Sequence, residues 1–292
     1  VVLEEGHREE WFESAMIIQL TIVAVVGFAL LTYGQLYARK PVLKLRLMFS
    51  RQFASVVVMA LALGMVMYGS TYVIPQFLTI ISDYNALQTG LVIFWMGVPA
   101  FLMMPFLPFM IRRIHIRIAV GAGMLIMALS CFISISLTAE SGGGVFTESQ
   151  FLRGIGMILT MMFLNQATVA SVAKEDAGDA SGIFNAARNL GGSFALAGLA
   201  SFQDQRLWHH SRRMEETLNA NGGRLQEYLD GLAASLGSPQ AAVQTLSGTI
   251  QREAFVMTYN DVFFVMGAIT LATVPLVMFL RALPKNASLS MH

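Results

Sequence analysis

The stretch Asp179 to Ser201, DASGIFNAARNLGGSFALAGLAS, sets three strongly polar side chains inside an otherwise apolar helical run. At a rise of about 1.5 Å per residue, Arg188 lies roughly 10 Å below the start of that run, with Asn185 and Asn189 beside it. A cation near the centre of a membrane-spanning helix costs about 2.5–3.5 kcal/mol on insertion scales, so it faces protein or a wet cavity rather than lipid. Gly182, Asn185, Asn189 and Gly192 follow the i, i+3, i+7, i+10 spacing of one helical face. Ala187, Gly191 and Ala195 form a small-residue seam on the adjacent face. The segment therefore reads as a membrane helix with one polar face and one face built for close contact with a neighbour.

Composition places the rest of the chain in the same setting. Of 292 residues, 55% are apolar and 13% charged, and the mean hydropathy is +0.60; soluble proteins average about 45–50% and about 25%. This is the composition of an all-α polytopic membrane protein. The single cysteine, Cys131, falls in an apolar run, which excludes a disulfide framework and a cysteine metal site. The chain opens at Val1 in an acidic stretch with no signal peptide, and reads as a fragment or a processed chain.

Seven stretches have the roughly 20 residues needed to cross a hydrocarbon layer: Ser14 to Tyr37, Gln52 to Ile81, Leu87 to Ile111, Ile118 to Thr138, Ser149 to Val172, Ala180 to Ser201 and Ala254 to Leu280. The segments after the odd-numbered spans carry Arg39, Lys40, Lys44, Arg46, Arg51, Arg112, Arg113, Arg117, Lys174, Arg281 and Lys285. The short segments on the other side hold only Arg8. The positive-inside rule then puts the N-terminus outside and the C-terminus in the cytoplasm.

The connection from 202 to 253 is the one sizeable piece expected outside the membrane. Leu225, Tyr228, Leu229, Leu232 and Leu236 recur at helical spacing, as do Val243, Leu246 and Ile250 after Pro239, predicting two or three amphipathic helices. The breaks fall at Asn221 to Gly223 and at Gly237 to Pro239. The segment from Thr138 to Glu148 reads as a flexible outer loop.

Polar residues are unequally shared among the spans. Tyr68, Tyr72 and Gln76 lie on one face of the second, and Asn165, Gln166 and Thr168 lie deep in the fifth; these six are the candidates for lining a substrate cavity. The fourth and seventh spans are nearly pure apolar scaffold. Met103, Met104, Met157, Met161 and Met162 fall in candidate cavity helices, where flexible thioethers suit a pocket accepting many shapes. Arg153 and Asp261 are expected near outer helix ends. No carboxylate is expected at a helix centre. The five histidines are assigned to loops or tails, so Ser181 lacks a base and no metal site is assembled. Phosphate-binding loops and nucleic-acid patches are absent, and catalysis is not expected.

Several runs in order, "ASGIFNAARNLGGSFALA" from Ala180, "RGIGM" from Arg153, "YGSTYVIPQFL" from Tyr68, "YNALQTGL" from Tyr84 and "YNDVFF" from Tyr259, resemble the C-terminal half of the fourteen-helix drug:proton antiporters. These are the EmrB/QacA type within the major facilitator superfamily. The opening "EEWFES" and the basic "ARKPVLKLRLMFSRQF" from Ala38 extend the resemblance over nearly the whole chain. It implies a C-terminal six-helix bundle of a major facilitator fold at 52–282, preceded by an outer loop at 1–13, an accessory transmembrane helix at 14–37 and a basic cytoplasmic linker at 38–51, and followed by a tail at 283–292. One departure is the run PFLPFMIRRIHIR from Pro105 to Arg117, which keeps the family's basic residues but not its glycine and aspartate.

The resemblance implies proton-driven export of hydrophobic drug-like molecules across a bacterial inner membrane by alternating access, with the proton gradient as energy source and no cofactor. Asn185, Arg188 and Asn189, with Arg112 and Arg113, become gating or interdomain contacts to the N-terminal half. A periplasmic membrane-fusion adaptor and an outer-membrane channel become possible partners. Alternatives are export of a specific metabolite, lipid or siderophore by the same fold, and a membrane receptor or structural protein that transports nothing.

Overall fold

The computed structural model describes residues 14–37, 44–220 and 222–280, and the segments expected as outer loop, much of the basic linker and tail lie outside these residues. Nine α-helices occur among the described residues: α1 Ala15–Tyr37, α2 Arg51–Ile80, α3 Ala86–Met103, α4 Leu107–Arg113, α5 Ile116–Ile133, α6 Gly143–Ala170, α7 Ala177–Ala220, α8 Gly222–Leu236 and α9 Pro239–Thr273. Short 3₁₀ segments precede α2, join α3 to α4, lead into α7 and follow α9.

Among the described residues, five helical stretches are long and apolar enough to cross a membrane: Ala15–Gly34, Arg51–Ile80, Ala86–Arg113, Ile116–Ile133 and Pro239–Phe279. Helices α6 and α7 run in the same bundle but carry more polar residues. α2 packs chiefly against α7, α6 against α5 and α3, and α9 against α7 and α5. The long apolar helix α1 makes no comparable contact and is exposed along most of its length.

Local chemistry sets the helix ends. Ser50 caps α2 by accepting from the Phe53 amide, and Asn85 and Gln88 form a reciprocal capping box at α3. Helix α8 stops at Gly237, whose φ of 72° is open to glycine, and α9 restarts with Ser238 as cap and Pro239 in its first turn. The third expected span is not continuous: Pro105 lacks the amide donor an α-helix needs, and Met104–Phe106 tightens into a 3₁₀ turn before α4.

Two expectations about connections change. The 202–253 segment does not begin as a separate element, because α7 runs unbroken for 44 residues, about 66 Å and far more than a bilayer requires. Polar residues such as Gln203, Gln205 and Arg206 are good helix formers, so loss of hydropathy marks where the apolar run ends without ending the helix. Likewise α9 carries the chain back as one helix, leaving α8 alone between them. The flexible loop expected from Thr138 to Glu148 is a short ordered corner, with α6 starting at Gly143. The Ser141 hydroxyl accepts from the Thr138 amide, Ser82 donates to the Ser141 carbonyl, and the Gly143 amide donates to the Tyr84 hydroxyl.

The interior has two apolar layers. Nearer the end bearing Arg112 and Arg113 lie Phe53, Met59, Val120, Phe163 and Phe184. Nearer the end that carries the helical extension lie Phe77, Phe146, Tyr259 and Phe263, whose rings meet edge-on or tilted at centroid distances of 5.3–6.3 Å. At the basic end Lys44 pairs with Asp176, and Arg117 donates to the Leu280 carbonyl at 2.7 Å. The hydrogen bond to Asp176 holds the Lys44 ammonium above the usual lysine range. Its folded value is raised, so the pairing is complete at neutral pH and is lost only as the pH climbs through that raised value.

The layers meet at the α2–α7 crossing. A Cβ on Gly64 would lie 1.9 Å from the Arg188 carbonyl oxygen, and one on Gly191 would lie 2.1 Å from that of Leu61. Ala187, Gly191 and Ala195 are all buried there, which is where their small-residue spacing points. Gly191→Ala should lower the melting temperature in detergent by a few to about 10 °C, because overpacking costs about 1–3 kcal/mol. Gly198→Ala, with open space around it, should melt like the parent; equal melting of both variants would contradict the close crossing.

Candidate functional site

The six residues expected to line a cavity do not share one site. Asn165 and Gln166 line an open cavity of about 650 Å³ together with Ala100, Phe101, Met104, Leu107, Ile158, Met161, Met162 and Val169. Its walls come from α3, the start of α4 and the half of α6 nearer the basic end. Met104, Met161 and Met162 are in the wall, whereas Met103 packs against one apolar layer and Met157 against the other. Thr168 does not reach the cavity. It is buried, and its hydroxyl donates to the Leu164 carbonyl at 2.8 Å.

Tyr68 and Gln76 instead join α2 to α7. The Tyr68 hydroxyl donates to Asn189 Oδ1 at 3.4 Å while its ring lies over Gly192, and Gln76 Oε1 accepts from Gln203 Nε2 at 3.0 Å. Tyr72, between them on the same face, is exposed. Their shared helical face was legible; that it meets α7 and not the cavity depended on the crossing. Phe101 and Ile158, apolar residues with no distinguishing sequence signal, complete the cavity wall.

Asn185 and Asn189 are exposed on α7, and the Asn185 side-chain amide donates to the Ser181 carbonyl at 3.0 Å. Arg188 is half-buried. Its Nη1 lies 4.0 Å from the sulfur of Met161, its Nε is buried without a partner, and no carboxylate pairs with it among the described residues. Arg112 and Arg113 are exposed at the end of α4, and Arg113 lies 5.5 Å over the Phe109 ring.

Arg153, expected near an outer end, lies some 15 Å along α6 and is 1% exposed. Nη1 donates to Gln150 Oε1 at 2.8 Å, Nε to the Ser130 hydroxyl at 3.3 Å and Nη2 to the Ser130 carbonyl at 3.4 Å, with the Phe263 ring 5.7 Å away. Neutral acceptors and an aromatic face thus hold the buried cation. It ties α5, α6 and α9 together and does not touch the cavity.

Asp261 accepts from Arg206 Nε at 2.6 Å and faces His210 Nε2 at 2.7 Å, clamping α9 to the extension of α7. The assignment of every histidine to a loop or tail fails here, since His209 and His210 are inside α7 and His210 is buried. His7 and His292 lie outside the described residues. Nearby, Arg252 donates to the carbonyls of Ile81 and Ala139 at 2.8 and 2.9 Å, tying two corners to α9. No cluster of three or more metal-ligating side chains occurs among the described residues.

Stacked apolar helices, a buried cation held by neutral groups and an amide-bearing apolar cavity define a multi-pass membrane bundle. Residues 5–196 match the Major Facilitator Superfamily. The chain belongs to that family, which is a transporter family and not an enzyme class.

It is 26% identical over 283 residues to the colistin resistance protein EmrB of Acinetobacter baumannii, with 95% of this chain and 55% of that protein covered. It is 26% identical over 287 residues to the multidrug export protein EmrB of Escherichia coli, covering 96% and 55%. To the fatty acid resistance protein FarB of Neisseria gonorrhoeae it is 23% identical over 278 residues, covering 95% and 55%. The chain thus spans about half the length of the curated relatives it matches. A solved bacterial homolog of the human lysosomal transporter Spinster, inward-facing and occupied, superposes with a TM-score of 0.54 at 14% identity, over 83% of this chain and 52% of that one. At that identity the likeness concerns the fold.

Arg252→Ala would release the Ile81 and Ala139 carbonyls. Charge-assisted bonds of this kind are worth about 1.5–3 kcal/mol, so hydrogen exchange around 81–85 and 137–143 should accelerate at least about tenfold. Unchanged exchange at both corners would show that Arg252 does not hold them.

Proposed function

We propose that this chain is the C-terminal half of a proton-driven multidrug efflux transporter in a bacterial inner membrane. The observation that carries the reading is the 650 Å³ apolar cavity with Asn165 and Gln166 in its wall, joined to α7 where Arg188 meets Met161. An apolar recess with a few oriented polar groups is the usual form of a small-molecule site, and methionines let it repack around different hydrophobic shapes. The multidrug, colistin and fatty-acid resistance names of the relatives support the same class of function.

In this reading 14–37 is an accessory helix, 38–51 a basic cytoplasmic linker and 52–282 one bundle of an alternating-access pair. The N-terminal bundle faces the open side of α7, meeting Asn185 and Asn189 there and Arg112 and Arg113 at the cytoplasmic end. Substrate sits between the two bundles, which rock to expose it to either side in turn. The cavity lining holds no carboxylate, so the group that takes up and releases the proton is assigned to the N-terminal half. The helices at 202–253 stand outside, where a periplasmic adaptor leading to an outer-membrane channel would dock.

Two experiments test this. The complete transporter, this chain joined to its N-terminal bundle, should extrude a hydrophobic dye from proteoliposomes under a pH gradient and stop when a protonophore collapses it. Phe101→Ala should raise KM about fivefold, the equivalent of about 1 kcal/mol of lost apolar burial. Efflux driven by residues 1–292 alone would defeat the assignment of proton coupling to the other half. For topology, Ser235→Cys suits labelling because Ser235 is exposed and the chain's one native cysteine, Cys131, is buried. It should react with an impermeant maleimide in cells whose periplasm is accessible, and reaction only after lysis would reverse the orientation.

A further inference from the structure

The Arg188 guanidinium offers five N–H donors, yet its one hydrogen-bond acceptor is the Met161 thioether at 4.0 Å, a weak one. Nε is buried with no acceptor at all, and no carboxylate pairs with the group among the described residues. The buried Arg153 has Gln150 and Ser130 as acceptors, the half-buried Arg206 has Asp261, and even the exposed Arg117 has the Leu280 carbonyl. Arg188 alone among these has a buried N–H with no acceptor, and Met161, which it touches, is in the cavity wall.

The cavity wall itself carries no charge. Its polar groups are the two amides of Asn165 and Gln166, and Phe101, Met104, Ile158, Met161 and Met162 make the rest largely apolar. Arg188, whose guanidinium contacts the wall residue Met161, sets a positive charge at its edge. An apolar recess beside an unsatisfied guanidinium complements one kind of molecule, with an apolar body and an anionic head. The planar fork matches a carboxylate in particular, and partial exclusion of water strengthens the pairing.

We propose that Arg188 makes this cavity selective for amphipathic organic anions, with the carboxylate head held by the Arg188 guanidinium and the apolar body lying along Phe101, Met104, Ile158 and Met161. The proposal rests on reading the cavity as the transported molecule's site. Arg188 then acts as a specificity residue that touches substrate. A cationic amphiphile of the same length gains the apolar contacts but meets like charge and no counter-ion on this half.

The test uses the complete transporter in proteoliposomes under a pH gradient, with three probes sharing one dansyl-labelled alkyl chain and ending in a carboxylate, a primary amide or a trimethylammonium group. The parent should transport the carboxylate with the lowest KM. Arg188→Gln should raise that KM about tenfold or more, leave the amide probe within about twofold and remove the preference; Arg188→Lys should fall between, since it keeps the charge and loses the fork. Asn165→Asp adds a carboxylate to the cavity wall without touching Arg188. It should raise KM for the anionic probe and lower it for the cationic one, and it decides the matter if the Arg188 variants do not fold.

Equal loss of all three probes in Arg188→Gln would make Arg188 a contact between the bundles and overturn the inference, leaving the efflux reading intact. A parent with no preference among the probes, or an Asn165→Asp variant with unchanged preference, would overturn it too. A parent that transports none of the probes and no dye would remove the efflux reading along with it.

Discussion

The backbone contact between α2 and α7 is the constraint on which the rest of the bundle depends. Gly64 faces the Arg188 carbonyl, Gly191 faces the Leu61 carbonyl and Gly192 lies under the Tyr68 ring, so the two helices approach more closely than any side chain would allow. In lipid there is no hydrophobic gain from pressing one apolar helix on another, and small residues promote association by permitting close packing and dispersion contact. The crossing also sets the rotation of α7. With Ala187, Gly191 and Ala195 turned to α2, Asn185 and Asn189 are left on the open side and the Arg188 side chain is directed toward Met161 of α6.

The bundle handles its ionic groups in two ways. Toward the ends and in the interior they are spent on structure: Asp261 binds α9 to the extension of α7, Arg252 gathers two corners, Lys44 meets Asp176, and Arg153 joins three helices through neutral acceptors. Each bond fixes a position that would otherwise drift, at the modest net value such bonds have when water competes. Arg188 is handled differently. Its backbone is packed at the crossing, but Nη1 meets only the Met161 thioether and Nε has no acceptor.

The helical extension follows from the same architecture. Because α7 and α9 leave the bundle without a break, they carry its geometry outward, and the Asp261 clamp fixes their separation where the apolar part of α7 gives way to polar sequence. An outer loop of independent helices would transmit no such order. Here the extension continues directly into the two helices that pack on α2.

Much of this was already legible in the chain. Hydropathy and helix length set the class, because a hydrocarbon layer demands long apolar helices irrespective of how they pack. The small-residue seam of α7 and the shared face of Tyr68, Tyr72 and Gln76 followed from the 3.6-residue period alone. The tertiary structure decided what each face meets. It sent Tyr68 and Gln76 to α7, turned Thr168 inward onto its own helix, drew Phe101 and Ile158 into the cavity wall, buried Arg153 among α5, α6 and α9 and gave His210 a carboxylate partner. Periodicity specifies which residues share a side of one helix, but the neighbour on that side is set by close contacts between residues far apart in sequence, such as Gly64 with Arg188, and those exist only once the helices have packed.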